Sequence, residues 1–304
     1  MTDRAPRFQM RVATINTWKG DGPYRARLRA LIEQAAELDL DILALQEALV
    51  ACDGSSHTPL VMADALGMKA AASFSRKKMR VVHDRSVLSW SGPAVLSRWP
   101  IMERHEVDLP FDRTDGPRVG LICEIRSPVG RILGGSLHRT HLVHLPALAQ
   151  AQLQAFCRSP HWHVPAVARV VAGDFNRTPD SDLVRSLHRG WTALNRSWTA
   201  VDAFVAGQGG TERATMSPRN TNLRTGAEPK CIDYIFGIAP DPEPIPEFSD
   251  ARIVFDRPSA EGVYPSDHFG VAVTAALPGE AEVAAVDGVS DSAAQGQSEQ
   301  AGST

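Results

Sequence analysis

Short, strongly apolar segments recur along this 304-residue chain, and most of them end in a carboxylate, an amide or a histidine. Met10–Asn16 reads as a strand that closes on Asn16. Ile42–Leu45 has the form of a buried strand and runs straight into Gln46-Glu47. Further β-rich stretches fall at Val95–Ser97, Val119–Ile125, Arg131–Leu137, Arg169–Ala172, Cys231–Phe236, Arg252–Phe255 and Phe269–Ala275. Ser127-Pro128-Val129-Gly130 supplies turn chemistry between two of them. Helical spacing is confined to fewer windows: Leu28, Leu31, Ile32, Ala35 and Leu38 on one face, then Leu145–Phe156 and Asp180–His188. Many short strands with few helices between them predict two β-sheets packed face to face with helices outside.

Composition bounds the remaining possibilities. With 43% hydrophobic and 22% charged residues, the chain can fill a core. A net charge of −3 excludes a basic, nonspecific coat for nucleic acid. There is no apolar run of about 18 residues to span a membrane, and Met1–Arg7 lacks the apolar stretch of a secretory signal. Cys52, Cys123, Cys157 and Cys231 lie far apart with no CxxC, which reads as reduced, mostly buried thiols of a cytoplasmic protein. From Pro278 to Thr304 the chain has five acids, no Lys or Arg and no aromatic residue, the composition of a disordered tail. Residues 1–7 read as a flexible N-terminus.

A single Asp or Asn at a strand end is usually a turn residue. Six polar strand-end sites in one chain point elsewhere: Asn16, Gln46-Glu47, Thr140-His141, Gly173-Asp174-Phe175-Asn176, Ile232-Asp233-Tyr234 and Ser266-Asp267-His268. Glu47, Asn16 and Asp267, with Asp174 as a further candidate, are oxygen donors suited to a hard cation such as Mg²⁺. His141 and His268, with Asp233 to orient an imidazole, complete the groups needed for attack of water on phosphorus.

These motifs, in this order, resemble the endonuclease/exonuclease/phosphatase superfamily, which includes deoxyribonuclease-I-like nucleases, AP endonucleases, neutral sphingomyelinases, inositol-polyphosphate 5-phosphatases and deadenylases. Leu96-Ser97-Arg98-Trp99-Pro100-Ile101 adds a further match, and the resemblance spans about Arg11 to Val273. It implies an α+β fold, a four-layer α/β/β/α sandwich of two mainly antiparallel sheets, with residues 8–277 as the catalytic domain. It also implies a metal-dependent hydrolase of a phosphoester, more specifically a phosphodiester, with Mg²⁺ (or Mn²⁺ in its place). Carried over residue by residue, Glu47 would be the main metal ligand with Asn16 beside it, and Asp267 at or near the metal. Asp174 and Asn176 would position water and the scissile phosphate. His268, held by Asp233, would activate the water, because imidazole titrates near neutrality. His141 would contact the phosphate or assist the leaving group. The expected substrate is phosphate-bearing: nucleic acid, a phospholipid head group or a phosphorylated small molecule. The expected state is a monomer.

Two departures bear on substrate. Pro93 stands where the family often has Asn, and Cys231 where it often has Arg, with Lys230 facing the other side of the strand. A nonspecific nuclease and an inactive binding protein of the same fold are the alternatives; the second would lack Glu47, Asp174 or His268, and none is missing. His138, His141 and His144 are poorly spaced for a strand-borne zinc site. Arg76–Arg80 reads equally as a solvated loop or a phosphate-steering run.

Overall fold

In the computed structural model, residues 7–279 are described; the disordered tail expected from residue 278 and the flexible start lie almost wholly outside them. The first sheet collects β1 (Phe8–Asn16), β2 (Ile42–Ala51), β3 (Lys69–Ala72), β4 (Arg76–Val82) and β5 (Arg85–Ser97), and later β13 (Glu247–Val254) and β14 (Gly270–Leu277). The second holds β6 (Ile101–Leu109), β7 (Arg118–Ser127), β8 (Gly130–His138), β9 (Ala168–Asp174), β10 (Trp191–Ala193), β11 (Arg196–Asp202) and β12 (Asp233–Pro240). Their orders are β13-β14-β1-β2-β5-β3, with β4 also on β5, and β10-β11-β12-β9-β8-β7-β6. Among the described residues only β1–β2 and β8–β9 pair in parallel; every other pairing there is antiparallel.

Three apolar layers hold the stack together. Val12, Ile42, Ala44 and Val95 of the first sheet meet Leu121, Cys123, Ile125 and Ile235 of the second in the central core. Outside the first sheet, α1 (Tyr24–Leu38) and α2 (Thr58–Leu66) bury Leu31, Ala35 and Met62 against Leu43 and Leu45. Outside the second, α3 (Pro146–Cys157), a 3₁₀ turn (Pro160–His163) and α4 (Asp182–His188) bury Leu153, Phe156, Trp162 and Leu187. A short α5 (Ala203–Ala206) follows β11. The four layers are those expected. Alternate residues of each strand face the central core and the helix layer, so central strands read as continuous apolar runs.

Local chemistry explains the element ends. The αL backbone of Asp39 stops α1, and Gly67 stops α2 in the same way. The His57 side chain accepts from the Leu60 amide at the start of α2, and Ser181 does so from Val184 at the start of α4.

Two expectations change. The basic run Arg76–Arg80 is no loop but strand β4, paired along its length with β5. A charged strand at a sheet edge resists edge-to-edge pairing with other chains, which is why its pattern hides its conformation. Glu47 does not follow the end of a strand either. β2 continues to Ala51 through a bulge: Leu45 pairs with Ala94 and Ala48 with Gly92, so one extra residue is fitted in, and Glu47 takes φ +55°. No helix among the described residues is long and apolar enough to cross a membrane.

Candidate active site

Strand direction gathers the site at one rim of the sandwich. The parallel pairs bring the C-terminal end of β1 beside the β2 bulge and the end of β8 beside that of β9. Because β12 runs antiparallel to β9, its first residue, Asp233, pairs with the last residue of β9, Asp174. The loop before β14 then adds Asp267 and His268. Asp174, Asp267 and His268 line a cleft of about 250 Å³, with Asn16, Lys19, Glu47, Arg118, His138, His141 and Asn176 among its other walls.

Asp174 is the hub. Gly173 before it has φ +148°, and a Cβ there would lie 1.9 Å from the Leu137 carbonyl oxygen, so only glycine permits β9 to close on β8. Asp174 Oδ1 accepts from the Asn176 amide at 2.8 Å, and Oδ2 accepts from Asn16 Nδ2 at 3.0 Å. His138 Nε2 lies 3.5 Å and His268 Nε2 4.0 Å from the same Oδ2. His268 Nδ1 sits 2.9 Å from Asp233 Oδ2, so Asp233 fixes the ring with Nε2 turned toward Asp174.

Burial drives the electrostatics of this group. It pushes the Asp174 carboxyl up to about 7, and the neighbouring Asp233 charge pushes the same way. Burial alone would depress His268, but Asp233, Asp267 and Asp174 outweigh it and hold the imidazole well above its ordinary range. His138 faces no such surplus: burial, with Arg118 and Lys19 adding to it, keeps it well below the usual value and therefore neutral.

The opposite wall carries the oxygen donors. Glu47 Oε2 is 2.6 Å from Lys19 Nζ, and its Oε1 is 3.9 Å from His138 Nδ1. Behind the bulge, Ser136 Oγ donates to the Leu45 carbonyl at 2.7 Å, and Gln46 Nε2 donates to Thr14 Oγ1 and Ser136 Oγ. These buried bonds tie the two sheets together and set the direction of Glu47. Asp267 is partly buried, which raises its carboxyl, and Glu47 adds repulsion. Two carboxylates close enough to repel, one already holding an ammonium, beside the Asn16 amide oxygen, form a donor set that fits a hard divalent cation.

Several supporting groups escaped the sequence reading. Arg27 is 1% exposed, and its guanidinium donates to the carbonyls of Thr17, Trp18, Lys19, Asp21 and Pro265. It thereby joins the loop after β1 to the loop before His268. Ser266 Oγ donates to the Asn16 carbonyl at 2.5 Å, and Asn220 and Asn222 both donate to the Ser266 carbonyl. Arg118 makes a two-pronged bond to the buried Asp115 at 2.7 and 2.8 Å, with Arg76 3.5 Å from the same carboxylate. Both arginines face the cleft beside Pro93 and Glu47.

The expected residues Asn16, Glu47, Asp174, Asn176, Asp233, Asp267 and His268 therefore come together. His141 lines the same cleft from a more exposed position: its side chain is 61% exposed, and its Nδ1 is 3.5 Å from Asp115. The imidazole at the inner position, against Asp174 and Glu47, belongs to His138. Cys231 is buried just before Asp233, with its Sγ 3.9 Å from the Asp233 carbonyl, and lines neither part of the cleft described above.

No curated protein matches the chain. Solved structures of the same fold do. An endonuclease/exonuclease/phosphatase family protein from Leptotrichia buccalis superposes with a TM-score of 0.64 at 18% identity, over 88% of this chain and 99% of its own. The endonuclease/exonuclease/phosphatase from Beutenbergia cavernae gives 0.63 at 19% identity, over 90% and 73%. TDP2 of D. rerio, complexed with single strand DNA product, gives 0.65 at 17% identity, over 88% and 98%. At such identities these likenesses speak to the fold alone. The profile of the Endonuclease/Exonuclease/phosphatase family matches residues 13–268, from within β1 to the cleft histidine His268, and the chain belongs to that family.

Proposed function

We propose that this chain hydrolyses a phosphodiester by in-line attack of water, with Mg²⁺ (or Mn²⁺) held by Glu47, Asn16 and Asp267. Family membership supports a metal-dependent phosphoesterase or nuclease in general terms. The observation that carries the finer reading is the buried Asp174–His268–Asp233 group facing Glu47 across one cleft. A bound divalent cation would supply charge neutralisation for the phosphate oxygens.

The proton assignment follows from the electrostatics. Asp174, raised to about 7, accepts the proton of the attacking water at Oδ2. His268, kept protonated by Asp233, Asp267 and Asp174, donates a hydrogen bond to a phosphate oxygen and offsets its charge, while the P–O bond to the leaving group breaks and the departing oxygen takes its proton from solvent water. This reverses the roles expected from the motifs, because burial raises Asp174 while the surrounding carboxylates, against burial, raise His268. Asn176 and neutral His138 orient the phosphate, and His138 rather than His141 takes the inner contact.

The Lys19, Arg76 and Arg118 wall favours a substrate with more than one phosphate, and a nucleic-acid strand is the first candidate. The single-strand DNA product bound by the TDP2 neighbour is in keeping with that choice. The test is a substrate panel in Mg²⁺ and in EDTA: single-stranded DNA, supercoiled plasmid, RNA, sphingomyelin, inositol phosphates and bis-(p-nitrophenyl) phosphate. EDTA-sensitive cleavage of a nucleic acid supports the reading. Turnover of sphingomyelin or inositol phosphates alone would replace the substrate class, and absence of any turnover would leave a binding protein.

A further inference from the structure

A second cluster of metal-binding groups lies outside the cleft, on the helix-facing side of the second sheet. Strand alternation puts Glu103 and His105 on the same side of β6, and Glu124 of β7 pairs with Glu103. His105 Nε2 is 3.0 Å from Glu124 Oε1 and 3.6 Å from Glu103 Oε2, and the ligand atoms of all three lie within 4.8 Å of one another. A tetrahedral ion with bonds of about 2.0–2.1 Å separates its donors by about 3.3–3.4 Å. The two measured distances bracket that edge.

The surroundings orient these donors as the outer partners of a metal site do. Arg131 Nε is 3.2 Å from Glu124 Oε2, which leaves Oε1 turned to His105. The His161 ring, from the 3₁₀ turn, stacks on His105 with centroids 3.8 Å apart and planes 8° from parallel. This stacking fixes the plane of the His105 ring.

We propose that Glu103, His105 and Glu124 bind a transition-metal cation, Zn²⁺ by preference, with the fourth position open to water beside the exposed Glu103. The imidazole nitrogen distinguishes this site from the all-oxygen set in the cleft and selects a softer ion than Mg²⁺. Its effect is structural. Among the described residues β6 is the last strand of its sheet, with β7 as its only neighbour, and the ion ties the two together across the sheet edge.

The test titrates EDTA-treated full-length protein with ZnCl₂ by calorimetry, and with Co²⁺ as a spectroscopic substitute. It compares the natural chain with Glu103→Gln, His105→Asn and Glu47→Gln. Glu103→Gln alters an exposed rim residue and keeps the fold intact. The natural chain should bind one more equivalent of Zn²⁺ than Glu103→Gln or His105→Asn, and should show an intense tetrahedral Co²⁺ band that both variants lack. Glu47→Gln should keep that equivalent and that band, and Glu103→Gln should keep its Mg²⁺-dependent activity. Equal stoichiometry and equal spectra in the natural chain and both outer-face variants would overturn the proposal, leaving His105 simply in contact with two glutamates. Loss of the band in Glu47→Gln would overturn it as well, since the ion would then sit in the cleft.

Discussion

Lys19 Nζ lies 2.6 Å from Glu47 Oε2, so the carboxylate assigned to the divalent cation already holds a positive charge. The contact rests on unusual backbone: Trp18 and Lys19 both have positive φ, +54° and +48°, in a loop whose carbonyls Arg27 gathers. A cation binding at Glu47 has to displace this ammonium or share the carboxylate with it.

Lys19→Ala should therefore tighten Mn²⁺ or Mg²⁺ binding in the absence of substrate. A partly exposed ion pair is worth about 0.2–1 kcal/mol, which corresponds to roughly 1.4- to 5-fold in affinity. Calorimetric titration checks this. Unchanged or weaker binding would mean that Lys19 positions Glu47 for the ion instead of competing with it.

Arg27→Lys should destabilise the protein by about 2–4 kcal/mol, because a lysine cannot satisfy five buried carbonyls and each one lost carries a desolvation penalty. Burial already draws the Arg27 guanidinium down to about 10. The midpoint of urea unfolding checks the loss of stability. Divalent-cation affinity should fall with it, since the loop that bears Lys19 and the turn that bears Asp267 share this one anchor. A variant as stable as the natural chain would remove Arg27 from the account.

The buried His138 gives a pH dependence of definite sign. Its folded value lies well below the ordinary 6.5, so below pH 6.5 the unfolded chain takes up a proton that the native one refuses. Stability is lost as pH falls through that window and regained as pH rises. His138→Asn removes this contribution. The difference in unfolding free energy between natural and variant protein should therefore shift in the variant's favour from pH 7.5 to pH 5.5. A difference independent of pH would mean that His138 is protonated in the native state.

Asp174→Asn should lower kcat by ~10²–10⁴ and abolish the acidic limb of the pH–rate profile, as expected of the group that takes the water's proton. His268→Gln should lower kcat while leaving the acidic limb in place. The opposite pattern, with the limb lost in His268→Gln and kept in Asp174→Asn, would return the proton to His268.

Much of this site was legible because strands with both faces buried cannot hide a polar residue: Asn16, Asp174 and Asp233 mark strand ends by breaking apolar runs. His138 obeys the same rule. It is the last residue of β8, one beyond the expected strand end at Leu137, whereas the resemblance to the family's motifs carried the role to His141. Glu47 could be picked out by charge, but its bulge could not, since a register shift depends on the partner strand. The Arg118–Asp115 pair and the Arg27 anchor were illegible for another reason: a buried arginine looks like a surface one until tertiary contacts supply its acceptors. The edge strand β4 was hidden by its charge.

The most direct test of the central claim is hydrolysis of bis-(p-nitrophenyl) phosphate and of a single-stranded oligonucleotide by the natural chain and by Glu47→Gln, each with Mg²⁺ and with EDTA. The account predicts turnover only by the natural chain in Mg²⁺, with Glu47→Gln at least ~10²-fold slower at the same Mg²⁺. Equal rates in EDTA and Mg²⁺, or full activity in Glu47→Gln, would contradict it.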